Sequence, residues 1–296
     1  MLGSKSVHAA ACLDGGFVGT HFRMQQDLTG RLPDEWRAFN KEFIPVFLET
    51  HPGKTKIAAG LACGAIWTVS KGMERGDVLL CPDGKGRYHV GEVAGDYVYV
   101  PGDILPHRRP VRWLGVIIDR ADMSDGLRGA CSARGTVCSI TKHAEEIEQL
   151  AKGRPPRPGV DEDSTAFAME KHLEDFLVRN WRSTELGRDF DIYEEDGEQL
   201  GVEYQTDTGP LDILAISKDR KTLLVIELKR GRASDAVVGQ LLRYMSYVQD
   251  ELAETGQTVR GVVIAFEDDQ RVKRALSQVP SIEFYRYEVS FKLVKV

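Results

Sequence analysis

The stretch "TLLVIELKRG", Thr222 to Gly231, reads as a buried strand, yet it carries Glu227 and Lys229 two positions apart. Alternate residues of a strand point to the same face, so these two side chains project together. The preceding "LDILAIS", 211–217, is a second apolar strand across a short polar turn. With a two-residue turn centred on Asp219–Arg220, Asp212 falls opposite Glu227. Asp212, Glu227 and Lys229 then gather at one end of a hairpin. Two carboxylates at that distance repel unless a cation sits between them, and hard divalent ions take oxygen ligands of this kind. A magnesium or manganese ion with a lysine beside it suits phosphodiester hydrolysis. The metal lowers the pKa of a bound water and offsets charge on the phosphoryl oxygens, and the lysine orients or activates the nucleophile.

The motif taken alone also fits an ion pair on the solvated face of an edge strand. Two features favour chemistry. Both strands are nearly continuous in apolar residues, where an unused charge is costly. The next segment, about 234–251, has an apolar helical stripe at Val237, Val238, Leu241, Leu242, Met245 and Val248. Gln240, Arg243, Tyr244 and Tyr247 form a polar stripe at spacings of three and four.

The string "GPLDILAISKDRKTLLVIELKRGRASDAVVGQLLRYMSYV" resembles the catalytic core of the PD-(D/E)xK nuclease superfamily, and NucS-type endonucleases in particular. The resemblance covers about 130 residues from Ser164 and rests on D, then ExK, then QxxxY on the following helix. It implies Asp212 and Glu227 as metal ligands and Lys229 as the catalytic lysine. Gln240 and Tyr244 match supporting helix positions, at the catalytic site or against the phosphate backbone. In "MEKHLEDFLVRNW" a helical glutamate would complete the metal site, Glu174 ahead of Glu170 one turn away. The chain departs from the superfamily pattern at Leu211, which intervenes between Pro210 and Asp212.

The 296 residues are 42% hydrophobic and 28% charged, ordinary for a globular chain and long enough for two domains. No apolar run approaches the roughly 20 residues that span a bilayer, and the first residues lack a basic-then-apolar secretory pattern. Five cysteines with no CxxC pair suggest reduced thiols in a cytoplasmic protein without a zinc site. The net charge of −6 weighs against a nucleic-acid partner, leaving "HRRPVRW" (107–113) and "ELKRGR" (227–232) as local basic clusters. "HPGKTK" (51–56) is no P-loop, because Leu48 stands where its first glycine belongs. The glycines of "GKGRYHVG" are misspaced for a dinucleotide fingerprint, so no nucleotide cofactor is expected.

The proline- and glycine-rich run at 152–163 reads as a linker between domains at 1–151 and 164–296. Ser164 would cap the first helix of the second domain, with apolar residues at 173, 176, 177 and 181. From Ile66 the first domain turns β-rich, with "AIWTVS", "GDVLLC", "RYHVGEV", "DYVYV" and "VRWLGVII" as strands of a small barrel or curved sheet and a closing helix at 144–150. Its GD, GEV and R-x-V-x-W strands resemble PUA-like folds, the group of EVE and YTH modules, which implies a modified base held in an aromatic pocket. Trp67, Tyr97, Tyr99 and Trp113 would supply the rings, and His107, Arg108, Arg109 and Arg112 the phosphate contacts. Barrel core is the competing place for both tryptophans, and a solvated loop the competing place for the basic run.

The expected architecture is α/β (α+β): a β-rich PUA-like barrel domain, then a restriction-endonuclease-like domain with a central mixed sheet flanked by helices. The expected activity is a metal-dependent DNA endonuclease of the modification-dependent restriction type. The alternatives are a NucS-like repair endonuclease for mismatched, branched or single-stranded DNA, or a nuclease switched by a nucleotide signal. A homodimer would supply the second site that a double-strand break requires.

Overall fold

The computed structural model describes residues 2–132, 136–154, 172–267 and 270–288. Ser164, Glu170 and the proposed linker beyond residue 154 lie outside the described residues. The chain divides into two compact units, Met1–Ser164 and Thr165–Val296. Among the described residues no helix is long and apolar enough to cross a membrane.

In the first unit, helix α1 (Ala9–Gly15) leads into strand β1 (Phe17–Thr20), and helices α2 (Trp36–Thr50) and α3 (Lys56–Trp67) follow. Then come β2 (Val78–Pro82), β3 (Arg87–Val93), β4 (Val98–Tyr99), β5 (His107–Asp119), α4 (Asp125–Ala130) and α5 (Ala144–Ala151). The strands form one sheet in the order β1-β5-β3-β2, with β4 also on β5. β5 organises it: its first residues pair with β1 and β4, and its remainder pairs with β3. The β3–β5 register shifts between His89 and Gly91, opposite a segment of β5 that includes Gly115 at φ +70. Such a bulge bends the strand and curls the sheet. The closing helix expected at 144–150 is α5, which buries Ile147.

One expectation fails in this unit. "AIWTVS" is not a strand but the end of α3 and a π turn, Thr68–Gly72. The alanine-rich "KIAAGLACGAIW" sets the helix, Thr55 caps its start by accepting from the Ala58 N–H, and the helix runs on through the β-branched residues.

The second unit begins with helix α6, 172–180. It continues through β6 (Phe190–Ile192), β7 (Val202–Thr206), β8 (Gly209–Ser217), β9 (Thr222–Arg232), α7 (Ala236–Tyr247), β10 (Thr258–Glu267), α8 (Gln270–Leu276) and β11 (Ile282–Arg286). The sheet runs β11-β10-β9-β8-β6, with β7 also on β8. β9, β10 and β11 are parallel, while β6, β7 and β9 all run antiparallel to β8. Strands buried on both faces read as apolar runs, which is why Leu223, Leu224, Val225 and Ile226 alternate with nothing polar. One face packs Leu177 and Trp181 against Ile213, Leu224, Ile226 and Ile264. The other receives α7, and Gly261 lets the helix approach: a Cβ there would meet Met245 Sδ at 2.6 Å. Strands β6 and β7 had no counterpart in the sequence reading.

The turn between β8 and β9 is wider than two residues but keeps the expected centre. The last pair is Ile216–Leu223. Ser217 C=O accepts from the Arg220 N–H, Ser217 Oγ accepts from the amides of Lys221 and Thr222, and Arg220 takes φ +61.

Leu224 lies on the central strand and is 2% exposed. Leu224→Ala should lower unfolding free energy by about 2–5 kcal/mol, read as a shifted urea midpoint with an unchanged slope.

Candidate active site

The site forms where β8 and β9 separate. Leu214 sends both backbone groups away from β9, its N–H to Gly201 O and its C=O to the Tyr193 N–H. The β8 residues that bond to β9 are therefore Ile213 and Ala215, and Leu211 with Leu228 would come next. That pair is not made: the ladder ends at Ile213–Ile226. The Leu228 N–H instead donates to Asp212 Oδ2 at 2.6 Å. The β7 ladder also skips this point, passing from Tyr204–Leu211 to Val202–Ile213 with Glu203 at φ +52.

Asp212 and Glu227 meet in this gap, on the face of the sheet that α7 covers. Glu227 is 2% exposed, and Lys229 Nζ donates to its Oε1 at 2.8 Å. Lys229 reaches outward, its side chain 29% exposed. Asp212 is half-buried by surface, with its carboxyl enclosed by its neighbours. Burial, then the Glu227 charge, pushes the Asp212 carboxyl well above the usual aspartate range. Glu174 adds to this, while the Leu228 amide and Lys229 oppose it. Glu174 is 5% exposed on α6 and so lies within electrostatic reach of Asp212. Among the described residues no group of three or more His, Cys, Asp or Glu side chains is arranged to hold a metal ion. A pair of mutually repelling carboxylates is nevertheless the oxygen donor set that a hard divalent cation fits.

Gln240 and Tyr244 on α7 also face this region. Gln240 Nε2 donates to Tyr244 Oη at 3.4 Å, and Tyr244 Oη donates to the Pro210 carbonyl at 2.9 Å. Tyr244 is 4% exposed, so it does not present its ring or hydroxyl to a phosphate backbone. That corrects its expected DNA-contacting place. Tyr247, also placed on the polar stripe, is wholly buried, and Arg243 is exposed. The Leu228 amide and the Pro210 carbonyl escaped the sequence reading because backbone groups leave no residue-type signature; strand parity is the signal that finds the first.

The residues expected to read a base in the first unit do not line one pocket. Trp67 ends α3 and not a strand; its indole N–H donates to Pro33 O, and its ring lies 5.7 Å from Trp36. Trp113 donates to Cys12 O and meets His89 edge-on at 6.5 Å. The two indoles belong to different cores. Tyr97, Tyr99 and His107 do meet, with ring centroids 6.0 and 5.3 Å from the histidine. His107 is fully buried, bonded through Nε2 to Met24 O and through Nδ1 to Tyr97 Oη. Since a carbonyl only accepts, Nε2 carries the proton and Nδ1 accepts from the phenol. Burial lowers the His107 pKa and keeps the ring neutral.

The basic run is likewise built into the fold. Arg109 is buried, and its guanidinium donates to Ser70 O and Met73 O at the end of the π turn, as cations do at helix C-termini. Arg108 pairs with Asp103 at 2.7 Å and lies over the Phe17 ring at 3.8 Å. Arg112 is exposed and pairs with Glu92 at 2.7 Å.

Residues 170–290 match the family model described as Endonuclease NucS C-terminal domain. The second unit is NucS-like. Among curated relatives, Endonuclease NucS of Methanocaldococcus jannaschii is 36% identical over 100 residues, 32% of this chain and 37% of that protein. Endonuclease NucS 1 of Halobacterium salinarum is 33% identical over 170 residues, 57% of this chain and 65% of its own. The chain spans about a third of the length of the first two curated relatives it matches. A repair endonuclease from Pyrococcus abyssi gives a TM-score of 0.31 at 16% identity, over 71% of this chain and 65% of that one. An EndoMS–dsDNA2 complex gives 0.32 at 19%, over 73% and 66%. Residues 3–139 match a family model described as a domain of unknown function, DUF8426. The NucS-like unit thus bears out the resemblance drawn from D, ExK and QxxxY, while the match of the first unit is to a domain without an assigned function.

A carboxyl whose folded pKa is raised loses stability as pH climbs from its unfolded value of 3.8 through the folded one. Asp212→Asn should therefore raise the melting temperature of the metal-free protein at pH 7. The gain should fade as pH drops below about 4, where both states are protonated, and a melting series across pH checks it.

Proposed function

We propose that the chain is a divalent-metal-dependent DNA endonuclease of NucS-like type. The supporting observation is the buried Asp212–Glu227 pair with Lys229 on its outer side, inside the segment that matches the NucS C-terminal domain. Asp212 and Glu227 hold the metal, magnesium or manganese, which when bound supplies an activated water and neutralises phosphoryl charge. Lys229, already bonded to Glu227 at 2.8 Å and open to solvent, orients the nucleophile and supports charge on the scissile phosphate. Glu174 contributes negative charge behind the pair, and Gln240 supports the site from α7.

The substrate is DNA that departs from regular duplex: mismatched, branched or single-stranded. The match to the NucS C-terminal domain and the curated relatives named Endonuclease NucS support a NucS-like substrate over a modified one. A modification-dependent restriction activity has less support. It relied on an aromatic pocket in the first unit, and there both indole N–H groups bond to backbone carbonyls while His107 and Arg109 are interior.

Purified chain should cut mismatched or branched oligonucleotide duplexes in Mg²⁺ or Mn²⁺ and lose this activity in EDTA. Glu227→Gln should lower the rate by a factor of about 100 or more. Equal cutting of matched unmodified duplex would remove the substrate assignment. Selective cutting of duplex with modified cytosine or adenine would restore the restriction reading.

A further inference from the structure

We propose that Tyr244 is a positioning residue that sets the place of Asp212 through the Pro210 carbonyl and touches neither metal nor DNA. The proposal rests on the metal-site reading above and deepens it. Asp212 lies where β8 has left the β9 ladder and where the β7 ladder skips a residue. Asp212 itself is paired in neither ladder, although Leu211 and Ile213 on either side of it are. Two residues earlier, Pro210 has no N–H to give to any ladder, and its carbonyl receives the Tyr244 hydroxyl at 2.9 Å.

The phenol is held in turn. Gln240 Nε2 donates to it from one helical turn away at 3.4 Å, and Gly209, whose φ of +119 favours glycine, lies beside it. A rigid helix thus pins the approach to Asp212, and the Leu228 amide pins its carboxylate. Loss of the hydroxyl would free 209–212 from α7 and let the Asp212 carboxyl move off the Leu228 N–H.

The experiment is Mn²⁺ titration calorimetry on Tyr244→Phe, which removes one oxygen and keeps the ring, beside binding of a branched DNA duplex measured in EDTA. The expected result is an Mn²⁺ dissociation constant raised about 10-fold with metal-free DNA affinity unchanged. Gln240→Met, which leaves the Pro210 bond in place, should give a smaller rise in the same direction and serves if Tyr244→Phe melts early. Unchanged Mn²⁺ affinity in both variants overturns the proposal, as does a loss of DNA affinity with Mn²⁺ affinity intact, which would place the phenol on the substrate. Failure of the parent chain to bind Mn²⁺ overturns the metal-site reading and this proposal with it, whereas a normal parent with normal variants overturns this proposal alone.

Discussion

The second unit is organised around a repulsion. Asp212 and Glu227 are brought together inside a sheet whose surroundings cannot solvate them, and burial plus mutual charge makes the ionised aspartate unfavourable. Lys229 and the Leu228 amide offset part of this cost. What keeps the carboxylates from moving apart is the remainder of the sheet. β9 is covered on both faces and paired on both sides, so Glu227 is fixed by apolar neighbours that have no reason to relax. A carboxylate pair held at that expense favours whatever cation can sit against it.

The two units treat buried polar groups differently. In the first, Arg109 donates to the carbonyls of a π turn, and His107 bridges a phenol and the Met24 carbonyl. Those groups complete secondary structure and tie loop to sheet, which is what a satisfied interior network does. In the second, charges of like sign share the interior. The same residue types that suggest a binding pocket in the first unit are explained there by architecture, whereas the acidic residues of the second raise one another's cost of ionisation.

What could be read in the sequence follows from periodicity. The β8–β9 hairpin, its register and the facing of Asp212, Glu227 and Lys229 were legible because apolar runs and a polar turn fix strand parity. The helix after β9 was legible from its stripe, within two residues at its start. β6 and β7 were not, being three and five residues long and set among acidic residues, with Glu203 in a left-handed conformation. Trp67 was misplaced because Ile66 and the β-branched residues after it mimic a strand, while the helix that contains it starts at Lys56. The latch from Tyr244 to Pro210 could not be read at all, because it joins a side chain to a backbone oxygen 34 residues away.

The hairpin turn has an effect out of proportion to its place at the surface. Its width differs from the simplest hairpin, but its midpoint does not, and that midpoint alone decides which side chains share a face. Lengthening the loop by two residues would leave the acidic pair aligned. A one-residue slip of the β8–β9 register, by contrast, would turn Asp212 to the opposite side of the sheet, among Leu177, Leu224 and Ile226. The apolar residues on both strands hold the register against such a slip, so the loop itself can vary while the carboxylates stay in line.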